Sequence, residues 1–299
     1  MSSANTILIT GGNTGLGLEI VRALSKEAVS YNIIIGSRNL EKGIKAVTQI
    51  QEELPQSQSK LSTVQIDVLS DDSIRGAVEY VASTFGKLDV LINNAGANFD
   101  HDIQGGKLSQ RDGWNLAWNT NVTGAHVTTV EFVPLLLQSA SPRLLFITSG
   151  TSPLAYTEIM ESQFAVINAS PEAGWPKPQT LNPTESYRSS KAGLNMMMRQ
   201  WYRILKNDGV KVFAVSPGFL ATGLAGLGEE TLRKMGARDP AIGGNFVKDV
   251  VLGKRDADEA KPSTFRAFSL GRCRKLERVN WIAAGTARDP QSSLDSLPC

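Results

Sequence analysis

Short apolar runs recur along the chain, each followed by a stretch with helical spacing. The runs are TILIT (6–10), YNIIIG (31–36), LSTVQIDV (61–68), LDVLIN (88–93), RLLFITS (143–149) and VKVFAVSPG (210–218). They are continuous rather than alternating, the mark of strands covered on both faces. After the first run, Leu18, Val21, Leu24 and Ala28 share one helix face. Further helices are predicted over 39–54, stopped near Pro55, over 71–85 with Asp at its start, over about 109–138, and from the Tyr187 region to about Lys206.

Strand and helix alternate throughout, which predicts the α/β class: a doubly wound parallel sheet, the Rossmann fold, in three α/β/α layers. Two regions break the rhythm. Residues 150–184 hold five prolines and the aromatics Tyr156, Phe164 and Trp175, with no strand. They read as an ordered insertion at the mouth of a site. After about Arg255 the chain is Ser- and Arg-rich and weakly periodic. The expected organisation is one domain over 1–255, followed by a loosely packed or partly disordered tail over 256–299.

Composition narrows the picture slightly. With 299 residues, 41% hydrophobic and 20% charged, the chain can bury a sizeable core. A net charge of +2 without a basic patch gives no nucleic-acid footprint. The two cysteines, Cys273 and Cys299, make a disulfide framework unexpected and suit a reducing, cytoplasmic setting. The opening MSSANTILIT lacks the pattern of a signal peptide, and no apolar stretch reaches the ~18 residues of a membrane span.

Candidate chemistry begins at TGGNTGLG (10–17), between the first strand and the first helix. Gly11, Gly15 and Gly17 permit a tight turn, close approach of backbone to a pyrophosphate, and close helix packing. The helix N-terminus adds free N–H groups and a positive dipole. The second strand ends in GSRN. An acidic residue there would suit the ribose 2′-hydroxyl of NAD, whereas Ser37 and Arg38 suit the 2′-phosphate of NADP. Farther on, Tyr187 and Lys191 lie four residues apart, stacked on one helix face. A neighbouring ammonium favours the phenolate, so Lys191 is expected to lower the Tyr187 pKa and make it a general acid/base. His101 and His126 have no ligand partners at metal spacing, so no metal is expected. ITSG lacks the glycine two residues before the serine that a nucleophile elbow needs.

With the glycine turn and the Tyr–Lys pair in place, the chain resembles the short-chain dehydrogenase/reductase superfamily, in its compact TGxxxGxG/YxxxK form. Thr10, Gly11, Gly15 and Gly17 match the first motif, and Tyr187 and Lys191 the second. Between and after them stand Asp67 and Val68, NNAG with Asn94, Ala95 and Gly96, Asn121 in NTNVTGA, Ser149 in ITSG, and Pro217, Gly218 and Thr222 in SPGFLAT. The resemblance covers roughly 5–252. It implies that Asn13 and Leu16 also line the NADP(H) site, with Asp67 and Val68 at the adenine and Pro217, Gly218 and Thr222 over the nicotinamide. It further implies that Tyr187 protonates a carbonyl oxygen, Ser149 holds that oxygen, Lys191 binds the nicotinamide ribose, and Asn121 holds a water that refills the proton.

Two departures stand out: the 150–184 insertion between serine and tyrosine, which resembles that of monomeric carbonyl reductases, and the absence of a recognisable seventh strand, for which VNWIAAG is a poor candidate. The insertion aromatics, Phe99 and GFLATGLAGLG are expected to surround an apolar or aromatic carbonyl substrate, and a monomer is expected. The reading is an NADPH-dependent carbonyl reductase. Its alternatives are an NADP-dependent secondary-alcohol dehydrogenase and a non-catalytic protein that senses NADP(H).

Overall fold

The computed structural model describes residues 4–161, 164–181, 183–260 and 262–264, all within a compact unit spanning Met1–Arg266. Its strands are β1 (Asn5–Thr10), β2 (Tyr31–Ser37), β3 (Lys60–Gln65), β4 (Val90–Asn93), β5 (Arg143–Ile147), β6 (Lys211–Ser216) and β7 (Pro262–Thr264). They form a single parallel sheet in the order β3-β2-β1-β4-β5-β6-β7. The predicted doubly wound α/β sheet is present.

The helices are α1 (Gly15–Ser25), α2 (Leu40–Glu53), α3 (Asp71–Phe85), α4 (Asp100–Gln104), α5 (Gln110–Trp118), α6 (Gly124–Leu136), α7 (Phe164–Asn168), α8 (Glu185–Leu205), α9 (Glu229–Lys234) and α10 (Pro240–Val251). The two-residue period of a strand sorts the core onto two faces. Ile7 and Ile9 of β1 pack with Ile20 and Leu24 of α1, Ile50 of α2 and Val247 of α10. Leu8, between them, joins Ile74 of α3, Phe132 of α6 and Met198 and Trp201 of α8 on the other side. Each such fully buried side chain contributes roughly 1.5–3 kcal/mol, which is why continuous apolar runs define these strands.

The long helix predicted over 109–138 is interrupted. A π-helical turn, Asn119–Thr123, joins α5 to α6. Such turns widen the helix by one residue and redirect the side chains around them. The short helices α4, α7 and α9 escape periodicity because they span only five or six residues. α10 carried a legible signal: Asp239 accepts from the Ala241 N–H at 2.9 Å, with Pro240 in the first turn.

A seventh strand does exist, contrary to the sequence reading. β7 pairs parallel to β6, with Ala214 opposite Pro262 and Ser216 opposite Thr264. A three-residue strand led by proline has no hydrophobic pattern to find, and proline is tolerated there because the strand lies at the sheet edge. The approach to it is held by Arg143, which pairs with Asp256 at 2.6 Å, and by the Ala260 N–H donating to the Val212 carbonyl at 3.0 Å. VNWIAAG and the rest of residues 265–299 lie outside the described residues. Among the described residues, no helix is long and apolar enough to cross a membrane.

Candidate active site

The carboxyl ends of β1, β4, β5 and β6 share one edge of the sheet, and the strand order reverses between β1 and β4. Ligands of doubly wound sheets bind at such a crevice. The glycine turn lies here. Gly11 and Gly15 have φ of +63° and +52°, left-handed values that disfavour a side chain. A Cβ on Gly17 would lie 2.2 Å from the Gly11 carbonyl oxygen, so α1 begins pressed against the turn. Thr14, at the N-cap of α1, makes no side-chain cap. The first N–H groups of α1 thus have no capping side chain, and backbone can closely approach a phosphate. The residues present therefore fit a dinucleotide.

Thr10 and Asn94 join the glycine turn to the loop after β4. The Thr10 hydroxyl accepts from the backbone N–H groups of Asn94 and Ala95, both at 3.0 Å, and the Asn94 amide donates to the Thr10 carbonyl at 2.8 Å. Their side chains shape the crevice. Asn13 and Leu16 lie partly exposed along the turn, and Thr222 closes over Gly15, whose Cβ would stand 3.6 Å from the Thr222 Cβ. Pro217 is buried against α10, while Gly218 is exposed with a φ of +98°.

At the end of β2, Ser37 is buried and donates to the Asn39 carbonyl at 2.8 Å. Arg38 is exposed, and its guanidinium has no hydrogen bond or ion pair among the described residues. Asp67 accepts from the Leu69 N–H at 3.0 Å, and Val68 presents its carbonyl to Gly124.

Tyr187 and Lys191 project from α8, one turn apart, with the ammonium 5.8 Å from the phenol ring centroid. Lys191 is 4% exposed and donates to the Ile147 carbonyl at the end of β5, at 2.8 Å. Ser149 follows that strand end, and its hydroxyl shares a 2.8 Å hydrogen bond with Thr151. The sequence reading expected Lys191 to lower the Tyr187 pKa. The phenol is raised instead. Burial pushes the phenol up to about 12, against the pull of a hydrogen bond with Ser149. The same cause pushes the Lys191 ammonium down to about 8.

Asn121 sits in the π-turn and is 1% exposed. Its amide accepts from the Ala97 N–H, and donates to the Ala97 carbonyl and to the Ser190 hydroxyl, each at 2.9 Å. Its side chain is thus a clamp between the β4 loop and α8. Gly96 marks where these elements meet, since a Cβ there would stand 3.0 Å from the Asn121 Oδ1 and 3.1 Å from the Lys191 Nζ. The four catalytic candidates lie on three elements around one point.

Two groups of residues were missed. Asp100, buried in α4, accepts from the backbone N–H of Ser186 at 2.8 Å and of Tyr187 at 3.0 Å. Asn195, one turn beyond Lys191, accepts from the Thr148 hydroxyl at 2.6 Å and donates to Ser152 at 2.9 Å, holding the turn that carries Ser149. The four-residue spacing from Lys191 could have revealed Asn195. No local signal could have revealed Asp100.

The insertion is tied down. Arg188 donates to the carbonyls of Thr151 and Ile167 and to the Asn168 side chain, and Gln104 donates to the Thr180 carbonyl at 2.8 Å. Burial pulls the Arg188 guanidinium below its usual range. Tyr156 and Phe164 pack on each other with ring centroids 5.5 Å apart. Trp175, expected in the wall, is 88% exposed, so it forms no part of a buried surface. Phe99 is partly buried beside α4. Among the described residues no cluster could hold a metal ion.

A family model for short chain dehydrogenases matches residues 5–166 and 154–232. The chain is 44% identical over 263 residues to the short-chain dehydrogenase/reductase eupG of a Phoma species, covering 86% of this chain and 92% of that protein. It is 40% identical over 265 residues to the short-chain dehydrogenase/reductase tropE of Talaromyces stipitatus, covering 87% and 95%. Among solved structures, the alcohol dehydrogenase of Thermococcus sibiricus complexed with 5-hydroxy-NADP superimposes with a TM-score of 0.68 at 19% identity, over 91% of this chain and all of that one.

Proposed function

The chain belongs to the short-chain dehydrogenase/reductase family, and from that premise we propose that it is an NADPH-dependent reductase of bulky, hydrophobic ketones or aldehydes. The observation that carries this is the Tyr187 phenol, protonated up to about pH 12 and hydrogen-bonded to Ser149, with Lys191 buried one turn on. A reductase needs an acid that still holds its proton when the carbonyl oxygen becomes basic.

The glycine turn, Ala95, Gly96 and Thr222 line the place a dinucleotide would take, and Arg38, exposed at the end of β2 and without a hydrogen bond or ion pair among the described residues, suits a 2′-phosphate. The nicotinamide supplies the hydride when bound. The rest falls to the chain. Ser149 donates a hydrogen bond to the carbonyl oxygen and fixes it beside Tyr187. Tyr187 gives that oxygen its proton. Lys191 lies close enough to steady the phenolate left behind. Asn121 holds the β4 loop against α8, so that the three stay together.

The test is a fluorescence titration of the purified protein with NADPH and NADH, followed by NADPH consumption with aryl ketones and aldehydes. NADPH is expected to bind at least about tenfold more tightly, a difference of roughly 1.4 kcal/mol. Equal affinities would remove the role given to Arg38. Activity retained by Tyr187→Phe would remove the mechanism.

A further inference from the structure

We propose that Asp100 is a positioning residue for Tyr187: its carboxylate caps α8 from another part of the chain and thereby sets where the phenol stands. The inference rests on the reading of Tyr187 as the proton donor.

Helices usually cap themselves, with a side chain at the N-cap accepting from an N–H two or three residues on. α8 does not. Thr184 occupies its N-cap and makes no side-chain hydrogen bond. The two oxygens of Asp100 take over, one on the Ser186 N–H at 2.8 Å and the other on the Tyr187 N–H at 3.0 Å. The carboxylate comes from 86 residues earlier in the chain, so the cap fixes tertiary placement as well as helix content. Asp100 is 3% exposed and Ser186 is fully buried, so the pair of hydrogen bonds is shielded from water. One of them is made to the backbone of the candidate proton donor itself.

The same segment reaches the other site residues. Asn94 holds the glycine turn, Ala97 is gripped by Asn121, and Asn98 donates to the Pro183 carbonyl at 3.4 Å, where the insertion returns to α8. The Asn98 side chain also accepts from the Asp100 N–H at 2.9 Å. Asp100 is thus the terminal contact of a loop that starts at the dinucleotide crevice and ends on Tyr187. Moving α8 by a fraction of an ångström at its first turn would shift the phenol relative to Ser149, which is anchored separately on β5.

The experiment compares Asp100→Asn, Asp100→Glu and Tyr187→Phe with the wild type. It measures NADPH affinity by fluorescence, and kcat and KM with tetralone, acetophenone and benzaldehyde. Asparagine keeps the shape but can accept only one of the two hydrogen bonds, and glutamate keeps the charge but is longer by a methylene. Asp100→Asn is expected to lower kcat about tenfold to a hundredfold, the usual range for a small misplacement of a reacting group. Its NADPH affinity should stay within about twofold, and its solvent isotope effect on kcat should rise as proton transfer becomes limiting. Asp100→Glu should recover part of the kcat. A wild-type kcat in Asp100→Asn, or a kcat loss matched by equal loss of NADPH affinity, overturns the positioning role. Wild-type turnover in Tyr187→Phe, or no turnover by the wild type, overturns the underlying reading instead.

Discussion

Tyr187 shows how two opposing effects on one side chain are decided by magnitude. The spacing to Lys191 suggests an ion pair that lowers the phenol pKa, yet both groups are so enclosed that desolvation dominates and drives them apart, to about 12 and about 8. The phenol therefore keeps its proton across the neutral range, as the proposed proton donor must. Replacing it with phenylalanine should leave NADPH affinity within about twofold and lower turnover by roughly a hundredfold to ten-thousandfold, the range for general acids. At the other end of the crevice, Arg38→Asp should narrow the NADPH-over-NADH preference, through lost attraction for the 2′-phosphate and gained acceptance of a ribose hydroxyl; titration with both dinucleotides reads it directly. Tyr187, Lys191, Ser149 and Asn121 could be singled out as candidates because each falls in a spaced motif on a predictable element, and the structure brings them together. Asp100 was not, since what matters about it is a contact across 86 residues.

At the scale of elements, α1 follows the glycine turn and α8 carries the Tyr187–Lys191 pair of the proposed site, and each is held by a feature of different visibility. The start of α1 is written into its glycines. Gly17→Ala would bring a methyl into the Gly11 carbonyl, with 2.2 Å of separation on the present backbone. It should cost about 1–3 kcal/mol of stability by overpacking and reduce NADPH affinity, measurable by thermal melts and titration. α8 is pressed onto α5 at Gly193, where a Cβ would stand 2.6 Å from Trp118. The insertion before it was recognisable by its prolines and aromatics, but its fastening was not. Arg188 makes three hydrogen bonds to it, and a flexible cation predicts no particular partner. Arg188→Met should leave segment 151–168 less protected, so limited proteolysis should cleave there well before the wild type is cut. The short elements α4, α7 and β7 were invisible for a simpler reason: with five residues or fewer, they complete too little of a period to register.

For the whole molecule, the buried pair couples the site to stability. Between about pH 8 and the ordinary lysine value of 10.5, the unfolded chain holds a proton on Lys191 that the folded protein has released, so stability rises with pH over that window. Between the ordinary tyrosine value of 10.0 and about 12, the folded protein holds a proton on Tyr187 that the unfolded chain has lost, so stability falls. These two groups alone give a maximum near pH 10. Melting temperatures across that range should show the rise flattened in Lys191→Met and the fall flattened in Tyr187→Phe. The global architecture was the most legible level of all. Doubly buried strands advertise themselves by continuous apolar runs, and alternation with helices leaves few ways to wind them.

The chain leaves the sheet immediately after Ser149 and returns to α8 just before Tyr187, the two side chains that flank the reacting oxygen in the proposed reaction. Both are pinned from behind, Ser149 through Asn195 and the strand, Tyr187 through Asp100 and the helix. The intervening stretch therefore behaves as an exchangeable cassette. Under the proposed reaction, changes to its length and lining are expected to alter which molecules are admitted while Ser149 and Tyr187 stay where they are, which makes it the natural place to graft new selectivity onto this enzyme.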